Sequence, residues 1–306
     1  MRIIFMGTPD FAVASLSALL AAGENIVAVV TPPDKPAGRG QKLHQSAVKI
    51  FAEANNLPVL QPEKLKDTGF IDTLRSLKAD IQVVVAFRML PEVVWNMPPL
   101  GTINVHASLL PQYRGAAPIN HAIINGEKES GVTTFLLQHE IDTGNILLSA
   151  SVAIDENDNA GSLHDKLMNA GANTLIKTIQ ELKSNTLQPI PQQDIIETQL
   201  KHAPKIFKDD CLIDWNSDIQ TIYNKIRGLS PYPAAFTYLD KKVLKIYIAE
   251  KEEKNNTLQP GTYDTDGKSY LKFSGSDGLL SIKQLQIEGK KKMSVEEFLR
   301  GYRFES

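Results

Sequence analysis

The first 100 residues alternate short apolar runs with segments whose apolar positions repeat at helical spacing. The predicted strands are Arg2–Met6, Ile26–Thr31, Val59-Leu60 and Ile81–Ala86, and the helices between them are Phe11–Ala22, Ser46–Asn55 and Asp67–Lys78. The last of these strands reads I-Q-V-V-V-A, which is typical of a strand buried on both faces. Such runs, separated by helices, predict an α/β fold with a Rossmann-like, mostly parallel sheet.

The pattern changes after residue 100. Thr102–His106, Val132–Leu137 and Ile146–Ile154 are strand-like, with no long helix between the last two. This spacing predicts an antiparallel extension of the same sheet. A long helical pattern over Ser162–Ser184 would close the domain.

The composition and the hydrophobic pattern change near residue 186. Thr186–Pro204 carries three prolines, several glutamines and little periodicity, as in a linker. Short strands with Gly, Asn and Asp turns follow, at Ala235–Leu239, Val243–Ala249, Gly261–Asp264, Tyr270–Ser274 and Leu279–Ile287. We therefore predict a catalytic domain over residues 1–188, a linker over 189–206, and a smaller β-barrel domain of the oligonucleotide-binding (OB-like) type over 207–306.

Composition narrows the class of protein only slightly. Hydrophobic residues make up 42% of the 306 positions and charged residues 22%, with a net charge of −2, as in an ordinary globular protein. The single cysteine, Cys211, excludes an intramolecular disulfide and fits a reducing compartment. The N-terminal apolar run is too short for a signal peptide or a membrane span, so we expect a cytoplasmic protein with no membrane partner.

Two polar residues end an otherwise apolar strand in T-I-N-V-H, residues 102–106. Residues two apart share a face of a strand, so Asn104 and His106 should point the same way. A strand that ends in Asn-x-His and runs into a Pro- and Gly-rich loop suits a site at the carboxyl end of a sheet. The alternative is a pair of hydrogen-bonded polar residues with no catalytic role.

A second candidate lies in Q-H-E-I-D-T-G, residues 138–144. Asp142 could be a plain turn residue, because Asp and Gly favour turns. It could also be an acid directed at His106, since a carboxylate stabilises the charged form of a nearby imidazole and the pair could transfer a proton.

Several other chemistries lack their motifs. The turn Gly7-Thr8-Pro9-Asp10 has no G-x-G-x-x-G pattern, which disfavours dinucleotide binding. No histidine or cysteine spacing matches a zinc site, so we predict no metal. No G-x-S-x-G elbow is present, which disfavours a serine hydrolase.

These segments together resemble the folate-dependent formyltransferases. The resemblance rests on Asn-x-His, on S-L-L-P-Q-Y-R-G-A-A-P-I from Ser108, and on the later D-T-G. Within the family the chain is most similar to members that formylate the methionine of initiator methionyl-tRNA. Further support comes from M-R-I-I-F-M-G-T-P-D-F-A at the start, P-P-D-K-P-A-G-R-G-Q-K-L over 32–43, I-R-G-L-S-P-Y-P-A-A over 226–235 and G-K-K-K-M-S-V-E-E-F-L-R-G over 289–301.

The resemblance implies roles for particular residues. It implies 10-formyltetrahydrofolate as formyl donor and Asn104, His106 and Asp142 as catalytic residues. It places the folate against three segments, Phe87, Arg88, Met89 and Leu90; Ser108, Leu109, Leu110 and Pro111; and Gln138, His139 and Glu140. The segment A-F-R-M-L-P, residues 86–91, departs from the Tyr-Gly that the family has before Ile-Leu-Pro, which puts individual folate contacts in question. The motif P-Y-P-A, residues 231–234, departs from the family's Trp and Gly.

The resemblance also implies a tRNA partner, contacted by basic residues. These are Lys35, Arg39 and Lys42 in a Gly- and Pro-containing loop, and the run Lys290, Lys291 and Lys292. Flexible positive segments suit phosphate binding, although both could be solvated surface. We expect a monomer.

Three other functions stay open at this stage. The same catalytic residues could formylate a small amine, such as a sugar nucleotide or glycinamide ribonucleotide. Water as acceptor would make the protein a formyltetrahydrofolate hydrolase. A tRNA-binding protein with an inert catalytic domain is the third alternative.

Overall fold

The structure is a computed structural model that describes residues 1–37, 42–192, 199–252 and 258–304. Up to residue 183 its strands are β1 (Arg2–Gly7), β2 (Asn25–Val30), β3 (Lys35–Ala37), β4 (Lys42–His44), β5 (Val59–Leu60), β6 (Ile81–Val85), β7 (Thr102–His106), β8 (Arg114–Gly115), β9 (Glu129–Leu136) and β10 (Ile146–Ala153). The helices of this part are α1 (Asp10–Ala21), α2 (Ala47–Ala54), α3 (Thr68–Ser76), α4 (Glu92–Trp95), α5 (Pro118–Ile124) and α6 (Ala160–Lys183).

The remaining chain is richer in antiparallel strands. They are β11 (His202–Ala203), β12 (Ala235–Leu239), β13 (Lys242–Glu252), β14 (Tyr263–Thr265), β15 (Leu271–Ser274), β16 (Leu279–Ile287) and β17 (Met293–Ser294). A short 3-10 turn lies at Asp209–Cys211, and the helices are α7 (Ile219–Leu229) and α8 (Val295–Gly301).

The large sheet has the strand order β10-β9-β7-β6-β1-β2-β5. Strands β5, β2, β1, β6 and β7 pair in parallel, and β9 pairs antiparallel to β7. All five residues of β6 are buried, as expected of a central strand covered on both faces. The predicted α/β class and the antiparallel extension are both confirmed.

Local sequence signals explain where the helices begin. Ser46 caps α2 by accepting a hydrogen bond from the Lys49 amide, and Asp67 caps α3 by accepting one from the Phe70 amide. Both caps satisfy amide groups that a helix N-terminus leaves unpaired. The two predicted helix starts therefore coincide with the capping residues.

The smaller sheet is antiparallel and curled, with the order β12-β13-β16-β15-β14 and with β17 paired to β16. Its core contains Trp215 stacked on Phe273, with ring centroids 4.8 Å apart, and Leu244, Ile246 and Leu285 at 0% exposure. The predicted smaller β domain is thereby confirmed.

Several elements were not predicted from the sequence, among them the short helices α4, α5 and α8. Helix α7 was not predicted, although Ile219, Ile222, Ile226 and Leu229 follow helical spacing and are all buried. The basic loop was expected to be irregular, but β3 and β4 form an antiparallel pair at its two ends.

The described chain forms two compact units. The first comprises Met1–Gly115, Ser130–Val152 and His164–His202, and the second comprises Ala116–Glu129, Ala153–Leu163 and Ala203–Ser306. The domain bounds at 188 and 207 stay a prediction. Across the described residues, no helix combines the length and the apolar character that crossing a membrane requires.

Candidate active site

Strand β7 carries the first two candidate residues at the junction of the parallel and antiparallel parts of the sheet. Asn104 is half-buried and pairs with Val84 of β6 and Phe135 of β9. Among the described residues, its side-chain amide has no hydrogen-bond partner. His106 ends the strand and is buried. The Asn104 side chain thus keeps two N–H donors and one carbonyl acceptor that no described residue uses.

The His106 ring is held on two sides. Its Nε2 lies 2.9 Å from the carbonyl oxygen of Tyr113, and its ring packs edge-on against Phe135, with centroids 6.5 Å apart. A carbonyl oxygen only accepts hydrogen bonds, so Nε2 must carry the hydrogen. Nδ1 is then the ring nitrogen left for a substrate.

Asp142 reaches the same ring from the loop after β9. Its Oδ2 lies 3.8 Å from His106 Nδ1, and only 11% of the Asp142 side chain is exposed. The same oxygen accepts a 2.9 Å hydrogen bond from the Gly115 amide. This separation exceeds a direct hydrogen bond, so the carboxylate lies beside Nδ1 without occupying it.

The Asp142 loop has an unusual backbone. Asp142 has φ of 56°, in the left-handed region that non-glycine residues seldom occupy. Two residues later, a Cβ on Gly144 would lie 1.6 Å from the carbonyl oxygen of Leu136. Only glycine fits there, so the D-T-G sequence is a steric requirement of the turn that positions Asp142.

Hydrogen bonds from buried side-chain hydroxyl groups hold the loop that follows β7. Ser108 is buried and donates to the carbonyl oxygen of Gln112, at 2.7 Å. Thr133 of β9 donates to the Ser108 carbonyl and accepts from the Leu110 amide. Sequence reasoning missed Thr133, because the sequence of β9, E-S-G-V-T-T-F-L, contains no motif that marks it. Leu109 is half-buried and Leu110 buried, and Pro111 follows a cis peptide bond.

The predicted folate loop after β6 divides into buried and exposed parts. Leu90 lies in the core and Phe87 packs against it, whereas Met89 is 75% exposed. Arg88 donates to the carbonyl oxygens of Pro62 and Glu63, and burial lowers the pKa of its guanidinium. The Arg88 side chain is therefore used to anchor this loop to a neighbouring one.

The third predicted folate segment is exposed. Gln138 donates to the Thr143 hydroxyl at 2.7 Å, and His139 lies 3.2 Å from Glu92. Glu140 contributes its carbonyl oxygen to the Thr143 hydroxyl, at 3.1 Å. The side chains of this segment mainly support its own turn, which leaves backbone groups as the candidates for contact with a ligand.

The predicted basic residues lie on exposed segments where they are described. Lys35 is exposed on β3, and Lys290, Lys291 and Lys292 are exposed in the turn between β16 and β17. Lys292 Nζ lies 4.4 Å from the centroid of the Tyr247 ring. Arg39 lies outside the described residues, as does the side chain of Lys42.

No metal cluster was found in the described parts of the chain, where no three His, Cys, Asp or Glu side chains come together as possible ligands. A residue that no motif indicated does enter the site. Gln192 lies in the predicted linker, yet its side chain contacts the backbone of the Asp142 loop.

Two family models together match most of the chain. Residues 1–179 match the family model described as formyl transferase, and residues 205–303 match the one described as formyl transferase, C-terminal domain. The chain is 54% identical to a methionyl-tRNA formyltransferase of Bacteroides thetaiotaomicron, over 99% of this chain and 96% of that protein. It is 49% identical to one of Flavobacterium johnsoniae, over 99% and 97%.

Solved structures share the fold. An N-formyltransferase from Helicobacter canadensis, in complex with folinic acid and dTDP-3-aminofucose, superposes with a TM-score of 0.69 and 23% sequence identity, covering 94% of this chain and all of that chain. HypX from Aquifex aeolicus in complex with tetrahydrofolic acid gives a TM-score of 0.67 at 18% identity, and the match covers 48% of that longer chain.

Proposed function

The chain belongs to the formyl transferase family, and from this premise we propose that it formylates the methionine of initiator methionyl-tRNA, with 10-formyltetrahydrofolate as donor. The observation that carries the proposal is the similarity over the whole chain to relatives named for this reaction. A small-molecule acceptor or hydrolysis is less well supported, because the sugar formyltransferase shares the fold at much lower identity.

The cleft fits the folate chemistry. The donor supplies a formyl carbon, and transfer places negative charge on the formyl oxygen while the amine attacks. Asn104 has unused amide donors on the same strand as His106, and Nδ1 of His106 has no direct hydrogen bond among the described residues. Preorganised donors at a developing oxyanion are the largest catalytic contribution in many acyl transfers.

The proton must also move in this reaction. The attacking amine forms the new N–C bond and loses a proton, while the bond from the formyl carbon to the folate nitrogen breaks and that nitrogen gains one. We assign this transfer to His106 Nδ1, with Asp142 Oδ2 at 3.8 Å stabilising the cationic ring. Because Nε2 is committed to the Tyr113 carbonyl, the ring keeps a single orientation during transfer.

Two loops are proposed to hold the folate. Met89, 75% exposed, and Ile141, 60% exposed, follow β6 and β9, the two neighbours of β7. Exposed apolar side chains at a cleft suit the flat face of a pterin ring. Backbone groups of 87–90 and 138–142, together with Ser108, Leu109, Leu110 and Pro111, complete the proposed folate site.

We propose that basic residues of each unit, described separately, contact the tRNA. In the first unit these are Lys35, Arg39 and Lys42, and in the second Lys290, Lys291 and Lys292. Exposed lysine and arginine side chains attract phosphates without reading sequence. We propose that a monomer in the cytoplasm carries out the reaction.

A comparison of acceptors tests the function. Purified protein and 10-formyltetrahydrofolate are incubated with initiator methionyl-tRNA, free methionine or an aminosugar nucleotide, and formylated product is measured. We expect a kcat/KM for methionyl-tRNA at least about 10³-fold above that for either small acceptor, as remote contacts contribute to the transition state. Preferential formylation of a small acceptor, or donor hydrolysis alone, would refute the proposal.

A further inference from the structure

Gln192 connects the two loops that contact the His106 ring. It lies nine residues beyond the end of α6, in a segment whose composition predicted only a linker, and its side chain is half-buried. Its Nε2 donates to the carbonyl oxygens of Asp142, at 3.0 Å, and Gly144, at 2.7 Å. Its Oε1 accepts from Arg114, at 2.8 Å from Nη2 and 3.3 Å from Nε.

The surroundings allow only one orientation of this carboxamide. A guanidinium only donates hydrogen bonds, and the two carbonyl oxygens only accept them. Both Nε2 hydrogens are therefore used on the Asp142 loop, and Oε1 is used on Arg114. A side chain at this position must donate twice in one direction and accept in the other, which glutamine does and neither glutamate nor leucine can.

The network closes around the catalytic ring. Arg114 directly follows Tyr113, whose carbonyl oxygen accepts from His106 Nε2, and it directly precedes Gly115, whose amide donates to Asp142 Oδ2. Gln192 therefore fixes the spacing between the loop that orients Nε2 and the loop that places a carboxylate near Nδ1.

The backbone of the Asp142 loop explains why a clamp is needed. A non-glycine residue at φ of 56° costs on the order of 1 kcal/mol or more relative to ordinary conformations. Two hydrogen bonds to the carbonyls of Asp142 and Gly144 hold this conformation from both sides of Thr143. Relaxation of the turn would move Asp142 Oδ2 away from the ring and release the Gly115 amide.

We propose that Gln192 is a positioning residue for formyl transfer, acting through Asp142 and His106 without touching the substrate. This inference rests on the proposed function for its catalytic part. It predicts that substitutions at Gln192 lower kcat and leave KM for tRNA unchanged, because the proposed tRNA contacts lie on other segments. The folate contacts proposed for the 138–142 backbone can change as well, since Gln192 holds the Asp142 carbonyl.

Gln192→Glu is the sharpest test. The variant keeps an acceptor for Arg114 and adds an ion pair, but it turns two donated hydrogen bonds into repulsion against two carbonyl oxygens. Gln199→Glu is the matched control, since Gln199 lies in the same segment, is exposed, and has no side-chain hydrogen bond among the described residues. Gln192→Leu removes both halves of the contact.

We expect kcat for formylation, measured at saturating folate, to fall about 10- to 100-fold in Gln192→Glu, with KM for tRNA within about twofold of wild type. Gln192→Leu should fall similarly, and Gln199→Glu should match wild type. A structural role alone predicts that Gln192→Glu, with its new ion pair, retains kcat, and that result would overturn the proposal.

Hydrogen exchange of the Gly115 amide, followed by NMR, is a second readout that needs no activity. Loss of the clamp should speed exchange at Gly115 at least about tenfold in Gln192→Glu relative to Gln199→Glu. An unchanged rate would overturn the positioning role even if wild-type protein formylates nothing. If wild type lacks activity but exchange responds, the proposed function fails and the clamp remains.

Discussion

Asn104 is the candidate catalytic residue whose side chain remains available to a ligand. Its half-buried amide has no hydrogen-bond partner among the described residues, so both of its N–H groups can be donated to a bound group. Its neighbours in the sheet, Val84 and Phe135, are apolar and offer no hydrogen bond through their side chains. A developing oxyanion in the cleft would satisfy it during the reaction.

Replacing Asn104 should therefore affect the chemical step. Asn104→Leu keeps the approximate volume and removes the donors, and we expect kcat to fall about 10²- to 10³-fold with little change in folding. Asn169→Leu, on the exposed face of α6, is the matched control. The rates are measured at saturating folate and methionyl-tRNA, and a fall in kcat below about threefold would exclude an oxyanion role.

Sequence reasoning could identify the candidate triad but not its support. Asn104 and His106 were predictable because residues two apart share a face of a strand, and Asp142 because D-T-G marks a tight turn. Gln192 was not, because its partners lie 48 to 78 positions away and nothing in its local sequence has a period or a motif.

At the scale of elements, helix α7 shows how a polar residue defines a boundary. Asp218 caps the helix, with its carboxylate accepting from the Thr221 amide and the Thr221 hydroxyl, each at 2.8 Å. These hydrogen bonds lower the pKa of Asp218 below its ordinary value of 3.8. The cap therefore favours the ionised carboxyl group.

This cap predicts a pH-dependent contribution to stability. Asp218→Ala should lower the free energy of unfolding by about 1 kcal/mol at neutral pH. A depressed pKa in the folded state means that the contribution is present above about pH 4 and is lost as pH falls through the lower folded value. The difference between wild type and Asp218→Ala should thus shrink below pH 4.

Denaturant unfolding followed by Trp215 fluorescence, with Trp95→Phe in every protein, measures this difference in the second unit. Asp218→Asn is the control, because asparagine caps helices without a titrating group and should differ from wild type far less at neutral pH. A difference of the same size at pH 3 and pH 7 would contradict the account.

The prediction of elements succeeded where burial and period agree. Strands β7, β12 and β16 have the predicted bounds, because short apolar runs between turn residues have few alternatives. Helix α7 was missed although its buried residues Ile219, Ile222 and Ile226 repeat at helical spacing. The pairing of β3 with β4 was missed because their lysines and proline do not resemble a strand.

At the scale of the whole molecule, the sequence alone does not predict which segments make up each compact unit. The second unit takes in Ala116–Glu129 and Ala153–Leu163 from the first half of the chain. A linear sequence shows where composition changes, but it does not show which distant segments share a core. The predicted boundary follows composition, whereas the units follow three-dimensional packing.

The whole chain carries a net charge of −2, so tRNA binding must depend on where positive residues are concentrated. We expect the logarithm of the association constant for tRNA to fall steeply with the logarithm of salt concentration. Replacing both Lys290 and Lys291 with alanine should make the slope shallower, by about one unit for each tRNA phosphate that a lysine no longer neutralises.

A control with equal charge isolates this effect. Replacing Lys66 and Lys177 with alanine removes the same two charges from exposed positions outside the proposed tRNA surfaces. Binding of tRNA is measured from about 50 to about 300 mM salt, where screening by ions is strong. Only the Lys290 and Lys291 variant should show a shallower slope than wild type. Equal slopes in both variants would remove these lysines from the tRNA surface.

The most direct test of the central claim is the single-turnover rate of formyl transfer from 10-formyltetrahydrofolate to initiator methionyl-tRNA in wild type and His106→Ala. His164→Ala, outside the cleft, is the control. We expect the rate to fall by about 10³-fold or more in His106→Ala, with both substrates still bound and the fold retained. A folded His106→Ala protein that transfers formyl at a near wild-type rate would contradict the account.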